Sequence, residues 1–195
     1  MSTPRQMIAR TVASIEAVDA LEDEHRAAVL DWIESGDELY RPVPPDQPPR
    51  HLVCYFVPFD PARGMLLLTA HRKAGLMLPP GGHCEVGEVP WETVRRECVE
   101  ELGVPAVALP GLGPEPLFVT VTETRPTVAR HTDVSLWYVI ELDVDDARLN
   151  PDPGEFEGVR WLSLDALLSE PIELFDPHTH RFVRKLAARL AGVGA

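Results

Sequence analysis

The sequence predicts an α/β domain with a mixed β-sheet and helices packed on its faces, preceded by a helical extension. A chain of 195 residues and 21.6 kDa has room for one compact domain plus an appendage. β-rich runs surround a single central helical pattern at residues 90–102. Strands are predicted at 51–58, 65–70, 118–122, 133–142 and 159–162. This order of strands and helices is typical of the α/β class.

Two helices are predicted before the first strand. Thr3-Pro4 is a favourable helix start, and apolar residues then recur at helical spacing from Ile8 to Leu21. A second helical stretch covers about residues 24–35, and a proline-rich segment follows it that cannot continue a helix. We therefore predict an N-terminal helical extension with its connector over residues 1–45 and a second domain over residues 46–195. The helices are interpreted as a packing element or a homodimer interface.

Composition excludes several classes of partner. The 31 acidic and 18 basic residues give a formal net charge of −13, which repels nucleic acid and anionic membranes. A small polyanionic substrate can still bind such a chain if divalent cations bridge the two. No apolar run approaches the roughly 18 residues of a membrane span. Cys54, Cys84 and Cys98 have neither disulfide nor zinc-site spacing, so free thiols and a cytoplasmic location are expected.

The central helix carries an acidic face beside its apolar one. Glu97, Glu100 and Glu101 are spaced i, i+3 and i+4, so their carboxylates project from the same side of the helix. The apolar stripe that packs against the sheet contains Trp91, Val94, Cys98 and Leu102.

Most glutamate-rich helix faces are only solvated surface. Here, however, the loop Pro79-Pro80-Gly81-Gly82 brings bare backbone close to the helix start, where a carbonyl can join the carboxylates. Such an all-oxygen ligand set suits Mg²⁺ or Mn²⁺.

These residues form a recognisable motif. The stretch Gly82-His83-Cys84-Glu85-Val86-Gly87-Glu88 is followed, after seven residues, by Arg96-Glu97-Cys98-Val99-Glu100-Glu101-Leu102-Gly103-Val104. The pattern resembles the box of the Nudix hydrolase family, G-x5-E-x7-R-E-U-x-E-E-x-G-U, where U is aliphatic. Cys98 is the one departure, and because cysteine behaves as a small hydrophobe it affects packing more than chemistry. With its flanks, the resemblance spans about residues 52–168.

The resemblance implies a Nudix-like α/β/α sandwich and a metal site. By it, Glu97, Glu100 and Glu101 are ligands of one or more Mg²⁺ ions, for which Mn²⁺ can substitute. The carbonyl of Gly82 completes part of the ligand shell.

Further roles follow from the same resemblance. Glu88 and Arg96 would pair with each other and hold the loop against the helix, a task suited to the planar guanidinium. A further glutamate, as ligand or base, is expected from the loop before the last strand. Glu155 is the candidate, and Glu157 is the second choice.

The function implied is metal-assisted hydrolysis. Water would attack phosphorus in a nucleoside diphosphate linked to another group, as in a nucleoside triphosphate or ADP-ribose, with Glu100 and Glu101 at the centre of the site. Two alternatives stay open: a Nudix-fold module that senses a nucleotide without cleaving it, and an enzyme similar to isopentenyl diphosphate isomerase, for which Cys84 is the relevant residue. Substrate-binding residues and the substrate itself are not assigned.

Several histidines give weaker signals. His83 adjoins the box and could touch phosphate, although a plain loop residue is as good an interpretation. The segment His131-Thr132-Asp133, with Arg125 and Arg130 nearby, could meet phosphates but is better interpreted as a strand entry. His178 and His180 are interpreted as neighbours of a helix cap instead of a metal pair.

Overall fold

A computed structural model describes residues 2–41, 49–123, 131–146 and 148–193. Most of the proline-rich connector, together with Arg125 and Arg130, lies outside the described residues. The helices are α1 (Pro4–Ala13), α2 (Ala20–Glu34), α3 (Pro90–Leu102), α4 (Leu164–Ser169) and α5 (Thr179–Val193), with a short 3₁₀ turn at Ile172–Leu174. The strands are β1 (Arg50–Asp60), β2 (Met65–His71), β3 (Leu76–Leu78), β4 (Gly81–His83), β5 (Phe118–Glu123), β6 (Thr132–Glu141) and β7 (Phe156–Ser163).

The strands form one mixed sheet, as the sequence predicts. Their order is β3-β2-β1-β6-β5, with β4 paired to β1 and β7 paired to β2. Strand β2 is antiparallel to β1, β3 and β7, and β5 is antiparallel to β6. The amide of Thr132 donates to Pro49 and that of Leu142 donates to Phe59, which is the constant offset of a parallel pair. Strands β1 and β6 therefore run parallel.

Two of the predicted boundaries are wrong. The first helix ends at Ala13 instead of continuing towards Leu21, because Asp19 caps a new helix by accepting from the amide of Glu22. The Gly81-Gly82 segment, interpreted as loop, begins strand β4, and beside this strand the amide of Cys84 donates to Leu52. In both places hydrogen bonds determine the secondary structure, and the spacing of the apolar residues does not reveal these hydrogen bonds.

Contacts divide the chain into two compact units. The first contains the described residues of 1–55, 82–94 and 115–138. The second contains the described residues of 56–81, 95–114 and 139–195.

The N-terminal helices are built into the first unit. Both helices have buried apolar side chains, namely Ile8 and Val12 of α1 and Val29, Trp32 and Ile33 of α2. Arg5 of α1 donates to the carbonyl of Ile33 at 2.7 Å, which ties the two helices together. Glu22 of α2 is fully buried, and its carboxylate accepts from the amides of Val18 at 2.8 Å and of Val119 in β5 at 3.4 Å.

The second unit surrounds the β2 strand. Leu66, Leu67 and Leu68 are all buried there, where β2 pairs with β7. The turn after β1 is held by Asp60, whose carboxylate accepts from Arg63 at 2.8 Å. This bond, together with backbone amides, lowers the pKa of Asp60 to about 2.

Helix α3 has the apolar stripe predicted for it. Val94, Cys98 and Leu102 are fully buried, so Cys98 is a core residue, whereas Trp91, the fourth residue of the predicted stripe, is only partly buried. All three cysteines are free thiols, and all are buried. Within the part of the chain that the structure describes, none of the helices combines the length and the apolar character that a membrane crossing requires.

Replacing Glu22 tests how firmly the N-terminal helices are attached. Glu22→Ala leaves the amides of Val18 and Val119 without this acceptor, so we expect the free energy of unfolding to fall by about 1–3 kcal/mol. Urea denaturation measures the change. Glu24→Ala, at an exposed position of the same helix, is the matched control and should change little. Equal stabilities for the two variants would contradict this structural role.

Candidate active site

The three glutamates of α3 differ in their exposure to solvent. The side chain of Glu100 is 57% exposed, whereas that of Glu97 is 13% exposed. Glu101 is buried, with 5% of its surface exposed. Two of the three predicted ligands are thus largely removed from water, which is costly for a carboxylate unless a cation compensates. A simple solvated acidic face does not account for this burial.

Glu101 is held in place by the first residue of β4. The amide of Gly81 donates to Oε2 of Glu101 at 2.7 Å. Gly81 has a φ of 146°, a backbone conformation that side-chain-bearing residues rarely adopt. This explains why a glycine stands immediately before Gly82, whose carbonyl is predicted as a further ligand. The role of the Gly82 carbonyl stays a prediction.

Burial changes the ionisation of this carboxylate pair. It raises the pKa of Glu101 to about 9; the neighbouring Glu97 adds to the increase, and the Gly81 amide opposes it. Burial also raises the pKa of Glu97, although Arg96 counteracts part of that effect. Since the donors are all oxygens and their charges repel, the cluster fits a hard divalent cation such as Mg²⁺.

Arg96 lies among the same carboxylates. Its Nη1 donates to Oε1 of Glu97 at 2.8 Å and to Oε2 of Glu100 at 3.1 Å. Glu88 accepts at Oε2 from the amide of Glu85 at 2.9 Å and from the hydroxyl of Thr93 at 2.8 Å. No sequence pattern marks Thr93 as a partner of Glu88. The pairing of Glu88 with Arg96 stays a prediction.

The loop before β7 is anchored to the end of α3. The amide of Asn150 donates to Leu102 at 2.9 Å, and the amide of Asp152 donates to Glu101 at 2.8 Å. The charge of Glu155 in this loop raises the pKa of both Glu97 and Glu101, which places it near the cluster.

The second choice, Glu157, is engaged elsewhere in the same unit. Its carboxylate pairs with Nη1 of Arg72 at 3.6 Å. Glu157 also lies in β7 instead of the loop predicted for it, so Glu155 has the better position for a role beside the cluster.

Two further residues near the cluster have no motif in the sequence that marks them. Asp152 contributes to the raised pKa of Glu101, yet in the sequence it is simply an acid in a Pro/Gly turn. His71 ends β2 near Glu155; burial lowers the pKa of His71, and the charge of Glu155 opposes that shift. The position of each residue near the glutamates becomes apparent only in the folded structure, where β2 meets the loop before β7.

The weaker histidine signals separate into two groups. His51, His83, His131 and Asp133 come together in the first unit. Burial, above all, lowers the pKa of His83 to about 3. His178 and His180 lie at the start of α5, where the amide of His178 donates to Asp176 and a ring nitrogen of His180 lies 3.1 Å from the Leu167 carbonyl oxygen. His178 thus precedes the first residue of α5 and His180 lies in its first turn, in agreement with their interpretation as residues of a helix start.

Comparisons with known proteins identify the class. The family model described as the NUDIX domain matches residues 49–186, from the start of β1 into α5. The chain therefore belongs to the Nudix family, whose members are hydrolases that act on small nucleotide substrates. No curated protein matches the chain.

Solved structures share the fold. A NUDIX-family hydrolase from Clostridium perfringens is 23% identical with a TM-score of 0.52 and covers 74% of this chain and 98% of its own. A MutT protein from Methanosarcina mazei is 18% identical with a TM-score of 0.55, covering 74% and 97%. An Ap4A hydrolase from C. elegans is 18% identical with a TM-score of 0.53, covering 72% and 98%. These similarities support the α/β fold.

The raised pKa of Glu101 predicts a dependence of stability on pH in the absence of metal. The unfolded carboxyl ionises near 4.5 and the folded one near 9, so folding becomes progressively less favourable as the pH rises between these values. Glutamine carries no charge and avoids this cost. We expect the Tm of Glu101→Gln, relative to the unsubstituted protein in EDTA, to increase from about pH 5 to about pH 9.

Differential scanning calorimetry across this pH range measures the effect. Glu173→Gln, at an exposed position of the 3₁₀ turn in the same unit, is the matched control and should follow the unsubstituted protein. A Tm difference for Glu101→Gln that does not vary with pH would show that Glu101 ionises normally.

Proposed function

We propose that this chain is a Mg²⁺-dependent hydrolase that cleaves the diphosphate bond of a nucleoside diphosphate linked to another group. The observation that carries the proposal is that Glu101 is buried and Glu97 is only 13% exposed, with the charge of Glu97 raising the pKa of Glu101. In isolation this arrangement costs folding energy, and a bound divalent cation would offset that cost. Membership of the Nudix family supports hydrolysis of a nucleotide substrate.

We propose roles for the carboxylates from the resemblance to the Nudix box, and their hydrogen bonds support these roles. Glu97, Glu100 and Glu101, with the carbonyl of Gly82, would hold Mg²⁺, and Mn²⁺ could substitute. When bound, the ion would neutralise phosphate charge and lower the pKa of a water. Gly81 keeps Oε2 of Glu101 in a fixed orientation, and Arg96 restrains Glu97 and Glu100 through two hydrogen bonds. We infer that Arg96 and Glu88 also link the helix to the loop before it.

Glu155 is proposed to accept the proton of the attacking water. It is exposed on a loop that is hydrogen-bonded to the end of α3, and its charge acts on Glu97 and Glu101. An exposed carboxylate beside a cation site has the accessibility that a general base requires. No substrate-binding residue is assigned.

The net charge of −13 makes the cation a condition for substrate binding as well. Without it, the acidic surface and the carboxylate cluster repel a polyphosphate. A non-catalytic sensor would gain nothing from a buried carboxylate pair, and Cys84, the residue that suggested an isomerase, is buried with its Sγ 3.4 Å from that of Cys54. We therefore retain the hydrolase as the function, with both alternatives as outcomes of the assay.

The remaining proposals concern the domain boundaries, the cellular location, the partners and the oligomeric state. We propose that residues 1–45 are an extension of a domain formed by residues 46–195, and that the protein acts in the cytoplasm without nucleic-acid or membrane partners. Met7, Val18 and Leu21 are exposed apolar residues on or beside the N-terminal helices, and they support a homodimer interface there.

A nucleotide panel tests the activity. We expect cleavage of one class among ADP-ribose, nucleoside triphosphates and diadenosine polyphosphates with Mg²⁺, and loss of that cleavage in EDTA. Glu101→Gln should lower kcat by at least about 100-fold because it removes a charged ligand. Chromatographic product analysis measures both, with Glu173→Gln as the control. Full Mg²⁺-dependent turnover by Glu101→Gln would contradict the proposal, and release of an isomer without phosphate or nucleotide would favour the isomerase.

Two glutamates close in sequence test the base. Glu155→Gln should lower kcat by about 100-fold with little change in Mg²⁺ affinity, because it removes a proton acceptor and no ligand. Glu157→Gln, at the start of β7 and paired with Arg72, should keep nearly normal kcat. Steady-state kinetics with isothermal titration of Mg²⁺ separate the two effects. If Glu157→Gln is the slower enzyme, the assignment of the base is wrong.

A further inference from the structure

A second group of metal-ligating side chains lies in the first unit, separate in composition from the glutamates of α3. It consists of His51 in β1, His131 just before β6 and Asp133 within β6. The His51 side chain is fully buried, and those of His131 and Asp133 are 19% and 17% exposed. All three converge on one point in the chain's largely buried sheet.

The atoms that approach one another are the Nε2 atoms of the two histidines and Oδ1 of Asp133. Nε2 of His51 lies 3.1 Å from Oδ1 of Asp133, and Nε2 of His131 lies 3.5 Å from the same oxygen. The three ligand atoms are all within 4.8 Å of one another. The His51 and His131 rings are stacked, with centroids 5.1 Å apart, and in both imidazoles Nε2 is the atom nearest Oδ1 of Asp133.

These spacings match those around a tetrahedral ion. Zinc binds imidazole nitrogen and carboxylate oxygen at about 2.0–2.2 Å, which places neighbouring ligand atoms of a tetrahedral ion about 3.3–3.6 Å apart. Of the two distances to Oδ1 of Asp133, the 3.5 Å distance from His131 lies within that range and the 3.1 Å distance from His51 lies just below it.

We propose that His51, His131 and Asp133 form a site for a divalent transition-metal ion of the zinc type. Two imidazoles and one carboxylate are a ligand set that such ions favour, whereas Mg²⁺ prefers oxygen ligands alone. The chain thus carries two metal sites of different chemistry. This inference goes beyond the proposed hydrolase, because it concerns other residues and another class of ion.

Two consequences follow from the position of the ligands. An ion would join the first residues of β1 to those of β6, next to the hydrogen bond from the amide of Thr132 to Pro49, and so would stabilise the parallel pair. Three protein ligands leave one tetrahedral position for water or an anionic oxygen. The His83 ring, whose centroid is 4.6 Å from that of His51, lies beside the site.

Titration of the metal-free full chain with ZnCl₂ tests the site. The titration is made in excess Mg²⁺ and in the Glu97→Gln/Glu101→Gln background, so that binding at the α3 carboxylates does not contribute. We expect His131→Gln and Asp133→Asn each to weaken zinc affinity by at least about tenfold. His178→Gln, a histidine of α5 outside the cluster, is the control and should bind zinc normally.

Circular dichroism shows whether each variant is folded. Zinc affinities within about twofold of the background in folded His131→Gln and Asp133→Asn would overturn the proposal, as would the absence of zinc binding in the background itself. A hydrogen-bonded His-Asp-His cluster without a metal would give that second result. The hydrolase assay is independent of either outcome.

A spectroscopic test needs no variant and therefore holds even if the substitutions prevent folding. Co²⁺ added to the metal-free protein should give the intense visible absorption of a tetrahedral ion without a thiolate charge-transfer band. The weak spectrum of octahedral Co²⁺ would overturn the site. A thiolate band would assign the ion to the buried pair Cys54 and Cys84 instead.

Discussion

The hydrogen bond from the amide of Gly81 to the buried carboxylate of Glu101 is the interaction on which the site depends. It joins the start of β4 to the last turn of α3 at 2.7 Å, and Gly81 has a backbone conformation that glycine adopts readily. A single amide cannot compensate a buried negative charge, and the raised pKa of Glu101 reflects this deficit. Without a cation, Glu101 therefore stays mostly protonated at neutral pH, and a bound cation would favour its ionised form.

The rest of the second unit supports the same cluster. Asp152 and Asn150 donate their amides to the carbonyls at the end of α3, so the loop that carries Glu155 stays beside the glutamates. Arg96 shares its guanidinium between a largely buried carboxylate and an exposed one. These contacts bring several acids together at a cost in stability, as is common where a protein favours function over maximal stability.

Most of what can be predicted from the sequence comes from local patterns of residue spacing. The apolar stripe with Cys98 and the acidic face with Glu101 depend on helical spacing alone, and both are present. The end of α1 was missed because a cap at Asp19 overrides apolar spacing. The meeting of His51 with Asp133 was also missed, since the parallel pairing of β1 with β6 joins residues far apart in sequence. Non-local pairing leaves no periodic signal in a single sequence.

If the α3 carboxylates, Glu101 above all, bind a divalent cation, Mg²⁺ must displace the proton of Glu101. The number of protons released when Mg²⁺ binds near pH 8 can be measured by isothermal titration in buffers of different ionisation enthalpy. With a pKa of about 9, Glu101 is mostly protonated at that pH, so we expect release of about one proton per ion. Glu101→Gln should abolish that release. Mg²⁺ binding without proton release, or the same release from Glu101→Gln, would show that Glu101 is not a ligand of the ion.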